Sequence, residues 1–187
     1  MGTKTLPHDN DAEEAVIGSL LIDSSAINSI SLVPEDFYGE RNGYCYKACQ
    51  TLSKQEVSIN QITVAQELTR VGKLEEIGGA AYLSHLISVC PTSLDIVYYA
   101  EIVHRLAIAR QLITAGEKIG KLGYEIRPDV SQSLGQADEI LLDIRKHGVP
   151  SPIVTPRDRA ELLNDRYERL YKSEQGIALR TGLFDLD

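Results

Sequence analysis

The stretch Leu94-Asp95-Ile96-Val97-Tyr98-Tyr99-Ala100-Glu101-Ile102-Val103-His104-Arg105-Leu106-Ala107-Ile108-Ala109-Arg110-Gln111-Leu112-Ile113-Thr114-Ala115-Gly116-Glu117-Lys118-Ile119-Gly120-Lys121-Leu122 contains no proline. Its apolar residues recur at helical rather than alternating spacing, and at 1.5 Å per residue it predicts a rod of about 40 Å. The first half is apolar on most sides, through Ile96, Val97, Tyr98, Tyr99, Ala100, Ile102, Val103, Leu106, Ala107 and Ile108. That is wider than the roughly 100° stripe one packing partner needs. Such a rod outreaches a small head and touches several neighbours.

Upstream, prolines and glycines cut the chain into further helical segments, and no stretch has the alternation and turns of a hairpin strand. A first helix is expected from near Asp11, where Asp11 and Glu14 have capping-box spacing and Val16, Ile17, Leu20 and Leu21 form one stripe. Gly18 within it suggests that another backbone comes close. A short helix over Ser25 to Leu32, a turn at Pro34 to Tyr38 and a helix from Asn42 to Lys54 follow, the last with Tyr44, Cys45, Ala48, Cys49 and Leu52 inward. Asn60 to Val71 reads as a helix with Ile62, Ala65 and Leu68 inward and Gly72 at its C-terminal cap. Gly78-Gly79 marks a turn into a short helix, Ala80 to Val89, whose Tyr82, Leu83 and Leu86 close the head. Pro91 stops that helix, and Thr92 or Ser93 is expected to cap the rod.

Downstream, Gly123 to Val130 turns the chain into a helix from Ser131 to His147. Leu134, Ala137, Leu141 and Ile144 have the 3-4-3 spacing of an antiparallel hairpin seam. Ile140 with Leu142, and the surplus face of the rod, are left over, and a second copy of the hairpin is the simplest cover for both. The expected contact residues are Val97, Tyr98, Ile102, Leu106, Ile140 and Leu142. Val149-Pro150-Ser151-Pro152-Ile153-Val154 reads as an extended linker. Thr155 then suits an N-cap, with Pro156 at the first helical position, for a narrowly amphipathic helix to Ser173. Its stripe contains Leu163, Tyr167, Leu170 and Tyr171. Periodicity leaves open whether that stripe folds back on the head or docks on another surface. The apolar residues Leu183, Phe184 and Leu186 have no visible partner, so the sequence reads as ending inside a larger protein.

The whole is expected to be all-α: a globular helical head, a long antiparallel helical hairpin, then an extended linker with one amphipathic helix. The chain has 187 residues, 19 Lys+Arg and 27 Asp+Glu, for a formal charge of -8. Nucleic-acid affinity comes largely from neutralised phosphates, so the acid excess argues against DNA binding by this chain alone. No apolar run approaches the length that spans a bilayer and no signal core follows Met1, which makes a cytoplasmic protein the expectation.

No residue set demands chemistry, so no catalytic, cofactor or metal residue is assigned. Gly116-Glu117-Lys118-Ile119-Gly120-Lys121-Leu122 resembles a phosphate loop only superficially, because its glycine spacing is one residue short and Leu122 stands where a hydroxyl is needed. Cys45 and Cys49 lack a neighbouring His or carboxylate at ligand spacing and read as buried apolar side chains. The odd set of three cysteines suggests no disulfide framework. His8, His85, His104 and His147 are scattered and read as surface or capping residues. The acidic pairs Glu13-Glu14, Glu35-Asp36 and Glu75-Glu76 lie at helix starts or turns, where carboxylates are electrostatically comfortable.

The run Leu6-Pro7-His8-Asp9-Asn10-Asp11-Ala12-Glu13-Glu14-Ala15-Val16-Ile17-Gly18-Ser19-Leu20-Leu21-Ile22-Asp23 resembles the opening of the DnaB-type replicative DNA helicases of bacteria. In the same order come Pro34-Glu35-Asp36-Phe37-Tyr38, then Ile62-Thr63-Val64-Ala65-Gln66-Glu67-Leu68 with Gly72-Lys73-Leu74. Gly78-Gly79-Ala80-Ala81-Tyr82-Leu83, Tyr99-Ala100-Glu101-Ile102-Val103 and the motor-domain-like Arg180-Thr181-Gly182-Leu183-Phe184-Asp185-Leu186-Asp187 complete the series. Departures fall at turns, at Asn42-Gly43 and Cys90-Pro91-Thr92-Ser93. The family's phosphate loop would lie beyond Asp187.

The resemblance implies a helical head over 1–93, a dimerising hairpin over 94–148, a linker with its docking helix over 149–176 and the start of a RecA-like motor domain over 177–187. It implies that the parent is an ATP-dependent helicase using ATP and Mg²⁺ in its motor domain, whereas this piece binds and hydrolyses no ATP. It implies self-association as a trimer of dimers within a hexamer, docking of primase and, in some species, of loader proteins on the collar, and contact with DNA only through the parent ring. Leu163, Tyr167, Leu170 and Tyr171 would dock on a neighbouring motor domain. Charge fits the division, with 13 basic and 20 acidic residues up to Gly148 and 6 and 7 after it. A freestanding regulator that imitates the collar and binds helicase or primase is the alternative.

Overall fold

The computed structural model of the chain describes residues 5–125 and 130–148, and these contain helices and no strand. The helices are α1 (Asn10–Ile22), α2 (Glu40–Lys54), α3 (Gln61–Arg70), α4 (Leu74–Ile77), α5 (Gly79–Val89), α6 (Ile96–Tyr124) and α7 (Val130–Gly148), with 3-10 turns at Ser24–Ser29 and Pro34–Asp36. The linker, the helix expected at Thr155 to Ser173 with its Leu163, Tyr167, Leu170 and Tyr171, and the segment 177–187 lie outside the described residues.

Helix α1 is the axis of the head. Asp9 caps it by accepting a hydrogen bond from the Ala12 amide (3.0 Å), so the helix begins ahead of the expected Asp11–Glu14 capping box. Glu14 is engaged elsewhere, its carboxylate lying 3.4 Å from the Tyr82 hydroxyl oxygen and 3.4 Å from His85 Nε2. Val16, Ile17, Leu20 and Leu21 are buried as their spacing predicts. α5 crosses on the Gly18 side, where an added Cβ would press on the Leu86 carbonyl and stand 2.7 Å from Cys90 Cβ. The absent side chain is what lets the two backbones meet.

Helix α2 buries Cys45, Ala48, Cys49 and Leu52, and also Tyr46, whose hydroxyl donates to the Leu32 carbonyl (3.1 Å). In α3 the inward residues are Val64 and Leu68, while Ile62 is 71% exposed, contrary to the sequence expectation. Ile62, Ala65 and Leu68 drift about 60° per step around a helix, whereas Val64 and Leu68, four apart, stay within about 40°. Gly72 adopts φ +71 just past α3, and the Lys73 amide returns to the Leu68 carbonyl (2.8 Å), which closes the helix as its position predicts.

Helix α6 begins at Ile96 without a side-chain cap; Thr92 Oγ1 instead accepts from the Leu94 amide (3.2 Å). Its inward face, Ile96, Ala100, Val103 and Ala107, lies against the head, and α1 is its main partner there. α7 packs antiparallel to the second half of α6. The expected seam is corrected: Leu134 and Leu141 are exposed, and the half-buried positions are Ser133, Gln136, Ala137, Ile140 and Ile144. α7 carries two adjacent apolar stripes about 80–100° apart, and the one turned to α6 contains the smaller Ala137.

Candidate functional site

Two polar networks hold the frame on which the outer surfaces stand. Glu13, 1% exposed, accepts hydrogen bonds from the Tyr38 amide (2.7 Å), the Gly39 amide (3.0 Å) and Asn42 Nδ2 (3.1 Å). Asn42 Oδ1 accepts in turn from the Tyr82 hydroxyl (2.7 Å). A buried carboxylate is tolerable when its oxygens are satisfied in this way. The second network fastens α6: Arg110 donates to the Pro7 carbonyl (2.9 Å) and to the Asp36 carbonyl, with its guanidinium 5.7 Å from the centre of the Tyr38 ring. His104 Nδ1 lies 3.6 Å from the buried Asp36 carboxylate, which also accepts from the Val33 amide (3.0 Å). Sequence reasoning missed Glu13, Asp36 and Arg110 as structural centres, because their partners lie 25 or more residues away in most cases.

The histidines do not converge. His8 stacks on Tyr38 with ring centres 4.1 Å apart, and His85 faces Glu14. Cys45 and Cys49 are fully buried; burial raises the Cys45 thiol from its ordinary 9.0 to about 12 and pushes Cys49 up as well. A thiol held protonated in this way is a poor nucleophile. Among the described residues no group of His, Cys, Asp and Glu could hold a metal ion, and no helix is long and apolar enough to cross a membrane.

The surface features are apolar faces. At 100° per residue, Tyr98, Ile102, Ala109, Leu112, Ile113, Gly116 and Gly120 lie on the side of α6 turned away from the head. Tyr98 is 64%, Leu112 52% and Ile113 42% exposed, and a Cβ added at Gly116 or Gly120 would meet nothing within 4 Å. On α7, Leu134, Leu141 and Leu142 are open to solvent.

The residues expected to pair two hairpins fall in two places. Val97 and Tyr98 are exposed and Ile102 and Leu106 half-buried, all in the first half of α6. Ile140 is half-buried and shares a groove with Thr114, Ala115 and Lys118 of α6, so much of its surface is already covered within the chain. Leu142 is exposed on the other side of α7. Leu106 of the first group and Thr114 beside Ile140 are eight residues apart on α6, about 12 Å along the rod.

Residues 5–105 match the family model described as the DnaB-like helicase N-terminal domain. The chain is 30% identical, over 97% of its length, to the replicative DNA helicase DnaC of Bacillus subtilis, and 32% identical over the same share to the replicative DNA helicase DnaB of Geobacillus stearothermophilus. It spans 40% of each of those proteins. Its fold is similar to the crystal structure of the N-terminal domain of DnaB helicase from Mycobacterium tuberculosis, with TM-score 0.71 and 36% identity, covering 74% of this chain and 99% of that one. A structure of a DnaB-like replicative helicase and its interactions with primase shares the fold at TM-score 0.64 and 20% identity, over 91% of this chain and 36% of that one. The head built around α1 and the all-helical hairpin thus have counterparts in these relatives, and the chain belongs to the DnaB-like helicase N-terminal domain family.

Proposed function

We propose that this chain is the assembly scaffold of a hexameric replicative DNA helicase, pairing subunits through its hairpin and offering the collar on which primase, and in some species a loader, docks. The observation that carries the reading is the open side of α6 in a chain of this family: Tyr98, Leu112 and Ile113 face solvent, with the exposed Arg105 between Tyr98 and Leu112, although the head has its own core. Burying such side chains between two copies contributes roughly 1.5–3 kcal/mol each when complete. Val97, Ile102, Leu106, Ile140 and Leu142 flank the same hairpin and complete the proposed contact. Strand separation and ATP hydrolysis, with Mg²⁺, belong to the part of the relatives' length that this chain does not span. The domain division stands with this reading, with 149–176 as the connection and Leu163, Tyr167, Leu170 and Tyr171 seated on a neighbouring motor domain.

Sedimentation equilibrium tests the pairing. The 187-residue chain is expected to form dimers or larger species, and Leu112→Asp with Ile113→Asp to give a monomer of unchanged helicity. A monomeric parent chain at high concentration removes the pairing role. Reading the gene past Asp187 for a phosphate loop separates the scaffold from a freestanding regulator.

A further inference from the structure

A cleft of about 240 Å³ runs between α2 and α3, on a different part of the molecule from the hairpin. Its apolar wall is made by Tyr44, Leu68 and the 49%-exposed Val71, and its rim by Lys47, Arg70 and Lys73. The head is strongly acidic: between residues 5 and 95 there are 13 acidic and 5 basic residues, and 3 of those 5 line this one cleft. The acid in its lining is Glu67, which Arg70 neutralises through two hydrogen bonds (2.8 and 2.7 Å), and that contact holds the Glu67 carboxyl below its ordinary range. Lys73 lies 4.7 Å from the centre of the Tyr44 ring and is paired at the outer edge with Glu76 (2.7 Å). Lys47 is exposed and has neither an ion pair nor a side-chain hydrogen bond among the described residues. With Glu67 set against Arg70 and Glu76 against Lys73, the excess positive charge at the slot is that of Lys47, a local cation on a surface of opposite overall sign that selects a partner by charge while the slot anchors it by burial.

We infer that this cleft docks a short acidic protein segment, with one large apolar side chain seated against Tyr44 and Val71, one carboxylate on Lys47 and a second taking the place of Glu76 on Lys73. The volume accommodates one leucine- or phenylalanine-sized side chain. A nucleic acid fits less well, because the slot is apolar and the surrounding head repels phosphates.

Panning random twelve-residue peptides displayed on phage against the 187-residue chain, with the K47E/K73E variant as competitor, tests this. Both lysines lie at the surface, and circular dichroism checks that the variant keeps its fold. Enriched peptides are expected to carry at least two carboxylates beside a leucine or aromatic residue. As synthetic fluorescein conjugates they should bind K47E/K73E at least about tenfold more weakly, a loss of about 1.4 kcal/mol. Val71→Glu should weaken them similarly. Enriched peptides without acidic character, equal binding to the charge-reversed chain, no enrichment, or binding of a single-stranded oligonucleotide at the cleft in preference to peptide would each overturn the inference. K47E/K73E is expected to keep the oligomeric state of the parent chain, so failure here is distinguishable from failure of the pairing.

Discussion

In α1 nine of thirteen residues are buried, whereas none of the described side chains of α7 is. The two helices carry similar kinds of apolar residue, but α1 is surrounded by α2, α5 and α6, and α7 meets α6 on one side. The contrast continues within α6, whose first half contributes Ile96, Ala100, Val103 and Ala107 to the core and whose second half contributes Ala115 alone to the buried set. The head therefore stabilises itself. The outer hairpin exposes Leu112, Ile113, Leu134, Leu141 and Leu142, which is the distribution expected of a surface that gains its burial by association.

The largest effect that would sharpen this contrast comes from Glu13. Glu13→Ala leaves the Tyr38 and Gly39 amides and Asn42 Nδ2 without their buried acceptor, at a cost of about 3–5 kcal/mol if each loss is near the low end for an orphaned group. Urea unfolding measures it, and a loss under about 1 kcal/mol would mean that water reaches the site and the head is looser than described. Gly18→Ala comes next. The new methyl must part α1 from the Leu86 carbonyl and Cys90, and about 2–3 kcal/mol of destabilisation is expected for overpacking against backbone. The same glycine-to-alanine change in the hairpin should have the opposite sign. Gly116→Ala with Gly120→Ala adds carbon in open space and is expected to raise the thermal stability of the dissociated chain by about 0.5–1 kcal/mol per site. If a second copy lies close over that face, the pair also weakens self-association in sedimentation. Unchanged association would place the contact elsewhere on the hairpin.

Much of the fold was legible from local pattern. The proline-free stretch after Leu94 is one helix of 29 residues, Val16, Ile17, Leu20 and Leu21 are core, and Gly18 and Gly72 occupy the close approach and helix end that their positions suggested. The family was legible for a different reason, the ordered run of motifs from Leu6 to Val103. Errors arose where two faces of one helix compete. Ile62 lost to Val64 in α3, and Leu134 and Leu141 lost to Ile140 in α7, because periodicity identifies apolar stripes but not which one a neighbour covers. The docking cleft was illegible for a related reason: Lys47 and Lys73 are 26 positions apart and become neighbours only when α2 and α3 pack.

By itself, the sequence determined the helical class, the acid excess, the long rod and the membership of a helicase family. These follow from local spacing, composition and ordered motifs, which need no third dimension. The tertiary structure alone decided that Glu13 is a buried centre of three hydrogen bonds, that Arg110 ties the rod to the head, and that Ile140 turns toward α6 while Leu112 and Ile113 stay open. Each of those depends on which distant segments share a surface, and burial and hydrogen-bond satisfaction are properties of that shared surface rather than of any one stretch of chain.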